Sequence, residues 1–284
     1  MSDPSPRLTV RFWGVRGSIA TPREGYLGVG GHTACVEVRT ADGTPIILDG
    51  GTGIRALGVA LTAEAGGRPL DLHVLLSHFH WDHLQGLPFF APLYGADHRI
   101  TFVAAEAGVG DVLQAQMSAP FFPVPFEELQ AEVVMRHLPE RETMEIGGAT
   151  VSAFPVFHTQ PTHGYRIEAE GTVVVYATDI EHGDPALEAR LVEAARGADL
   201  LICDAQYTPD EYALRQGWGH TTWEHATRLA AEAGVARLCL FHHDPAHDDE
   251  TLERILAKAR ECFPATDLAR QGETLELPQQ GQNA

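Results

Sequence analysis

Short runs in which apolar and polar residues alternate open the chain. Residues 8–20 read as a strand running into a glycine-containing turn, and 34–40 followed by 44–49 read as a hairpin turning at Asp42 and Gly43. The pattern then changes. Residues 53–64 have helical composition, and 71–77, DLHVLLS, is an apolar run of strand length that delivers the chain to HFHWDH. A strand at 99–104 and a helix at 106–118 follow, and the prolines of PFFPVPFEEL make 119–130 a surface loop. Beyond it, strands are expected at 149–157, 164–168, 172–177, 199–203 and 236–241, with helices at 185–196, 221–233 and 249–261. Hairpins first, then strands alternating with helices, point to two β-sheets with helices packed outside. The expected class is α/β, a four-layer αββα sandwich in a single domain over 1–284, with 1–7 and 278–284 as flexible tails.

Composition narrows the function classes. The chain has 284 residues, 44% of them hydrophobic, which suits one substantial core. There is no run of eighteen or more apolar residues, and MSDPSPRLTV has neither a basic nor an apolar leader region. Neither membrane insertion nor secretion is indicated, and a cytoplasmic location is expected. Cys35, Cys203, Cys239 and Cys262 stand singly in apolar stretches, as core thiols do, and not at disulfide or CxxC spacing. With 20 basic and 39 acidic residues the net charge is −19, and Lys258 is the only lysine. Such a surface repels a long polyanion, so extended RNA or DNA is disfavoured. A small anionic substrate remains compatible if bound metal concentrates positive charge locally.

Fifteen histidines are many for this length, and they cluster. The densest group is His78, His80, Asp82 and His83 in SHFHWDHLQG. On an extended segment His78 and His80 point the same way, while Asp82 and His83 diverge as the chain turns into a helix, so one loop can serve two metals. Imidazole and carboxylate are suitable zinc ligands. Later candidates are His158 or His163 after SAFPVF, Asp179 at the end of VVVYAT, and His242 or His243 closing RLCLFHHDP. A carboxylate ending an apolar run is costly unless positive partners receive it.

HFHWDH matches the HxHxDH motif of the metallo-β-lactamase superfamily, and the resemblance extends over nearly the whole chain. It implies the αββα metallo-β-lactamase sandwich and selects His158 and His242. One metal would then be held by His78, His80 and His158, a second by Asp82, His83 and His242, with Asp179 between them. Two divalent ions are implied, zinc first, with manganese or iron also accepted by nitrogen and oxygen ligands. Such a pair acidifies bound water and clamps phosphodiester oxygens. Asp49 in IILDGGTG resembles an aspartate that supports the site from behind the ligands, and a plain turn role is equally open.

Residue identities choose among branches. Flavodiiron proteins resemble this chain less, having glutamate at the position of His80, as do zinc β-lactamases with cysteine at that of Asp179. THGYRI and GHTTWEHATRLAAEAG resemble the ribonuclease Z-like branch, in which a histidine assists the leaving group. This makes His220, with Asp82, the catalytic candidate; Thr221 or Thr222 would also cap a helix there. His225 is read as a surface or packing histidine. RFWGVRGSIATP, GGHTACVEV and LDGGTGIRALG resemble a bacterial group described as cyclic-nucleotide phosphodiesterase-like, although its members usually carry asparagine near His32. Arg16 and His32 are the substrate-binding candidates, against a structural role for their glycine-rich turns. Phe121, Phe122 and Phe126 would stack on a nucleobase or, as expected here, pack against the sandwich.

The leading expectation is a phosphodiesterase acting on a small cyclic or linear nucleotide ester. The alternatives are a ribonuclease Z-like RNA endonuclease, a glyoxalase II-like thioester hydrolase, and a metal-binding sensor without turnover. No Lys/Arg-rich insertion is present to grip tRNA. The resemblance also implies a homodimer.

Overall fold

The computed structural model describes residues 7–277. The tails expected at both ends lie outside them, except Arg7, whose backbone N–H donates to the Leu277 carbonyl. Alternation builds the first sheet. In β1 (Leu8–Gly14), Leu8, Val10 and Phe12 are buried on one face, and the strand pairs antiparallel with β2 (Cys35–Thr40), which pairs antiparallel with β3 (Pro45–Leu48). The β2–β3 turn falls where expected, with Gly43 at φ 88° and the Asp42 carboxylate accepting from the Thr44 N–H. β1 stops well short of residue 20. A Cβ at Gly14 would lie 1.8 Å from the Thr33 carbonyl oxygen, so the chain needs glycine to cross that backbone.

After β3 the connections lengthen and the strands run parallel. Helix α1 (Ile54–Ala65) leads to β4 (Asp71–Leu76), the short α2 (Trp81–Leu84) precedes β5 (Arg99–Ala104), and α3 (Val109–Gln116) precedes β6 (Glu132–His137). The second sheet repeats this plan. β7 (Thr143–Ile146), β8 (Ala149–Val156), β9 (Thr162–Ala169) and β10 (Thr172–Ala177) form an antiparallel meander. Then α4 (Pro185–Ala195), β11 (Leu200–Asp204), α5 (Pro209–Tyr212), α6 (Trp223–Ala233), β12 (Leu238–Phe241), α7 (Asp249–Cys262) and β13 (Thr266–Leu268) add parallel strands, while β14 (Thr274–Leu277) returns to pair with β1. The sheet orders are β14-β1-β2-β3-β4-β5-β6 and β13-β12-β11-β10-β9-β8-β7.

Period-two patterning sorts the layers. Ile46 and Leu48 join the core between the sheets, whereas Ile47 faces outward with Val74 and Leu76 against Leu57 and Leu61 of α1. Across the sheets the Phe12 and Phe241 rings lie 6.3 Å apart, and the Tyr165 hydroxyl donates to the Leu76 carbonyl at 2.7 Å. Helix α6 buries Ala226, Leu229, Ala230 and Ala233 on one stripe; it starts at Thr222, whose hydroxyl accepts from the His225 N–H, and ends at Gly234 with φ 66°. The α/β sandwich with helices outside both sheets is therefore as expected. Sequence reading missed β6, β7, β13 and β14. β6 has no residue fully buried and closes one sheet edge, and the others have only three or four residues each. In the 119–130 loop Phe126 packs on the outer core as expected, whereas Phe121 is 73% exposed, which corrects the expectation of burial for that ring.

No helix among the described residues is long and apolar enough to cross a membrane. Burial pushes the thiols of Cys35, Cys203 and Cys239 well up, while Cys262 at the end of α7 is exposed. Titration of the native protein with Ellman's reagent should thus find one fast thiol of the four, lost in Cys262→Ser, and all four only after unfolding.

Candidate metal centre

Parallel crossovers leave the C-terminal ends of neighbouring strands on one rim, and there the polar cluster assembles. Asp49, Asp179 and His242 each lie just past a strand end, and all three have left-handed backbone, with φ of 61°, 54° and 58°. Each such non-glycine conformation costs about 1–3 kcal/mol. The bend turns each side chain back over the end of its strand. His78 follows β4, and His80 is the extended residue capping α2, at φ −67° and ψ 152°. Asp82 and His83 ride on the first turn of that helix.

Three overlapping groups of ligand-type atoms result among the described residues, one of them formed by Asp179, Asp204, His220 and His242. One atom from each of His78, His80, His158 and Asp179 lies within 4.8 Å of the others, and the same holds for Asp82, His83 and His242. Asp179 faces both of these last two groups. Its Oδ1 is 3.7 Å from His78 Nε2 and 3.8 Å from His158 Nε2, while its Oδ2 is 3.1 Å from His83 Nε2 and 3.3 Å from His242 Nε2.

The donor set fits cations. Nδ1 of His83 donates to the Asp49 carboxylate, that of His158 to the Gly219 carbonyl and that of His242 to Gln206 Oε1, at 2.8, 2.6 and 2.9 Å. Ser77 gives its hydroxyl proton to Asp49 and so accepts from His78 Nδ1. With Nδ1 protonated, each Nε2 is a bare lone pair in the neutral ring. His83 Nε2 and His242 Nε2 nevertheless sit 3.1 Å apart, His158 Nε2 is 3.2 Å from His80 Nδ1, and His78 Nε2 is buried without any hydrogen-bond partner. Converging lone pairs with one orphaned member are what a cation site requires.

Titration follows the same logic. Burial lowers His78, and so, next, does the neighbouring His83. For Asp82 and Asp179 burial favours the neutral acid, but His83 and His242 outweigh it and hold both carboxyls well below the usual range. Burial opposes a proton on His83, yet Asp179, Asp82 and Asp49 together draw one in and push it well up. A divalent cation among these carboxylates would answer the same field with more charge and displace that proton.

A sequence profile described as a β-lactamase superfamily domain matches residues 44–243, well over half of the chain. The chain belongs to this superfamily. An uncharacterized protein of Mycobacterium leprae is 32% identical over 260 residues, covering 84% of this chain and 78% of that one. A ribonuclease Z of Brevibacillus brevis is 40% identical over 103 residues, 35% of this chain and only 31% of the length of that relative. Human tRNase Z, short form, superposes with a TM-score of 0.70 at 20% identity over 95% of this chain and 99% of that structure, which shows the metallo-β-lactamase fold. Membership of this superfamily makes the protein a metal-dependent hydrolase.

Around the histidine and aspartate cluster of this superfamily member stands a supporting ring. Asp49 accepts from the Ser77 N–H and hydroxyl, His83 Nδ1 and the Tyr176 hydroxyl, all within 2.8 Å. The Ser18 N–H donates to Asp82 Oδ2 at 2.7 Å. His220 caps the rim, with Nδ1 donating to Asp204 at 2.9 Å. Burial disfavours its proton, but Asp204, then Asp179 and Asp82, prevail and raise it to about 9. Sequence reading overlooked Asp204 and Gln206. Asp204 ends the apolar run LLIC much as Asp179 follows VVVYAT, so the same signal was available.

Other candidates lie elsewhere. Arg16 is fully buried, its guanidinium donating to the carbonyls of Gly30, Asp244, His247 and Tyr26, so it ties loops together and has no face open to a substrate. His32 is half-buried with Nδ1 3.1 Å from the Thr52 hydroxyl, and burial lowers its pKa. His163 approaches Glu140 at 3.7 Å, and His243 contacts the Ala269 carbonyl, so neither alternative joins the cluster. His225 stacks on His182 at 3.8 Å.

Asp49→Ala removes one acceptor from four donors and should weaken metal affinity about 10–100-fold by chelator competition, with the circular dichroism spectrum retained. Gly219→Ala should act on the other metal group. A Cβ there would come 2.3 Å from His158 Nδ1, at a residue with φ 87°, so one equivalent of tightly bound metal should be lost by mass spectrometry or elemental analysis.

Proposed function

We propose that this protein is a dinuclear, zinc-dependent phosphodiesterase acting on a small nucleotide-type phosphodiester, cyclic or linear. The observation that carries the reading is Asp179, with one carboxylate oxygen turned to His78 and His158 and the other to His83 and His242. His78, His80 and His158 would hold one ion and Asp82, His83 and His242 the other, with Asp179 shared. When bound, such a pair supplies an acidified water and a clamp for phosphoryl oxygens. Manganese or iron would suit the same nitrogen and oxygen donors.

The chain's own residues do the rest. Asp204 fixes His220 through Nδ1, which leaves Nε2 as the atom that can hand a proton to a departing alkoxide. Divalent charge nearby would oppose the proton that Asp204 draws to His220 and so favour its release. Asp82 is oriented by the Ser18 N–H and keeps its charge despite burial, as a ligand must.

Size follows from charge. A net charge of −19 with a single lysine repels a long polyanion, which favours a small diester over RNA. The second reading, a ribonuclease Z-like endonuclease, is favoured by the 40% identity to the Brevibacillus protein over 103 residues. Unpaired buried thiols agree with a reducing cytoplasm.

The test is hydrolysis of bis(p-nitrophenyl) phosphate, a cyclic nucleotide panel and a precursor tRNA by metal-loaded protein. Asp82→Ala should abolish phosphodiester turnover and His220→Ala should lower kcat about 10²–10⁴-fold. Efficient tRNA cleavage without small-diester turnover would select the endonuclease. Thioester cleavage with every phosphodiester intact would overturn both.

A further inference from the structure

We propose that the cavity beside His220 receives the leaving half of the diester and selects a half that carries both a planar ring and a second phosphate; this rests on the phosphodiesterase reading above. The cavity has a volume of about 560 Å³, and its walls include Ser18, Gln206, Tyr207, Arg215, Trp218 and His220. Three of these connect it directly to the metal centre. Ser18 holds Asp82, Gln206 holds His242, and His220 is the proton donor for the leaving group. Whatever departs towards His220 must therefore occupy this space.

Its outer wall carries an indole and a guanidinium. Trp218 is 62% exposed and offers an indole face to that space. Arg215 lies over the Tyr207 ring at 5.2 Å, and its hydrogen bond goes to the Glu211 carbonyl at 3.5 Å. Among the described residues no carboxylate pairs with it. Exposed Arg228, by contrast, is held by Glu188 and Glu232. Asp244, also in the lining, already accepts from the Ala246 N–H at 2.7 Å. A half-buried guanidinium without a carboxylate partner, beside an exposed indole, is a pairing that can bind a phosphate and stack a base.

The wall is also held in place. Glu181, two residues after Asp179, accepts from the N–H groups of Gly217 and Gly219, and Gly219 in turn receives His158 Nδ1. The loop carrying Arg215 and Trp218 is thus tied to the same groups that position the metal ligands, so recognition there is preorganised. A cyclic mononucleotide has no second phosphate to offer Arg215. A linear dinucleotide with a terminal phosphate does.

The experiment compares kcat/KM of the metal-loaded, full-length protein for the dinucleotide ApA and for its 5′- and 3′-phosphorylated forms, with the products identified. In wild type the added phosphate should raise kcat/KM about tenfold only when it sits on the half released without the scissile phosphate. Arg215→Gln should bring that ratio close to one, Arg215→Lys should retain part of it, and Trp218→Ala should lower kcat/KM for all three while keeping the ratio. A ratio of one in wild type, a ratio unchanged in Arg215→Gln, or a preference for phosphate on the other half would each overturn the inference. Calorimetric titration of the same three compounds into Asp82→Ala protein reads the pocket independently of turnover. Equal Kd values would overturn the inference, whereas a tenfold difference in Kd in a protein whose wild type cleaves no phosphodiester would overturn the phosphodiesterase reading and leave the pocket standing.

Discussion

The rest of the site depends on one electrostatic constraint: Asp49, Asp82, Asp179 and Asp204 are almost completely buried, within a few ångströms of one another's histidines. Ionised carboxylates at such depth are costly unless positive partners surround them. Here the partners are imidazoles, which can answer with a proton or give up their lone pairs to a cation. The converging Nε2 atoms favour the second. The strained backbone at Asp49, Asp179 and His242 belongs to the same account, because no relaxed turn would hold these side chains over the strand ends.

Architecture supplies what local sequence cannot. Each sheet begins as a meander and continues as parallel strands, so β3, β4, β10, β11 and β12 all present their C-terminal ends on one rim. Asp49, His78, Asp179, Asp204 and His242 are far apart in sequence and are gathered only because both halves share that plan. The hydroxyls of Tyr165 and Tyr176 cross between the sheets, one to Leu76 and one to Asp49, so the packing of the core and the orientation of His83 are mechanically connected.

How much of this could be read from the chain depended on whether the signal was local. Four ligand-type residues within six positions declare themselves, as does a carboxylate at the end of an apolar strand, which is why His78, His80, Asp82, His83 and Asp179 could be named. Asp204 carried the same signature and went unread because no motif accompanied it. Arg16 shows the opposite failure. An arginine in a glycine-rich turn looks like a phosphate ligand, yet four carbonyls from distant loops, invisible in one dimension, consume its donors. The edge strands were illegible for a related reason, since β6 buries no residue fully and β13 and β14 alternate over only three and four residues, so all three take their identity from the neighbour they pair with.

Charge then acts on two scales. Over distances beyond about 8–10 Å, physiological salt screens individual groups and only the summed field of the acidic surface remains, which disfavours a long phosphate backbone along its whole length. At contact distance the field belongs to whatever occupies the His and Asp cluster, and to the few cations free to face it. Of the arginines near the rim, Arg16 is consumed by the fold and Arg215 is not. On the proposed reading, a small diester reaches the centre without laying further phosphates against the acidic surface, and a second phosphate meets an arginine without a carboxylate partner at Arg215. On that reading an acidic protein discriminates by the length and charge pattern of its substrate before any base is read.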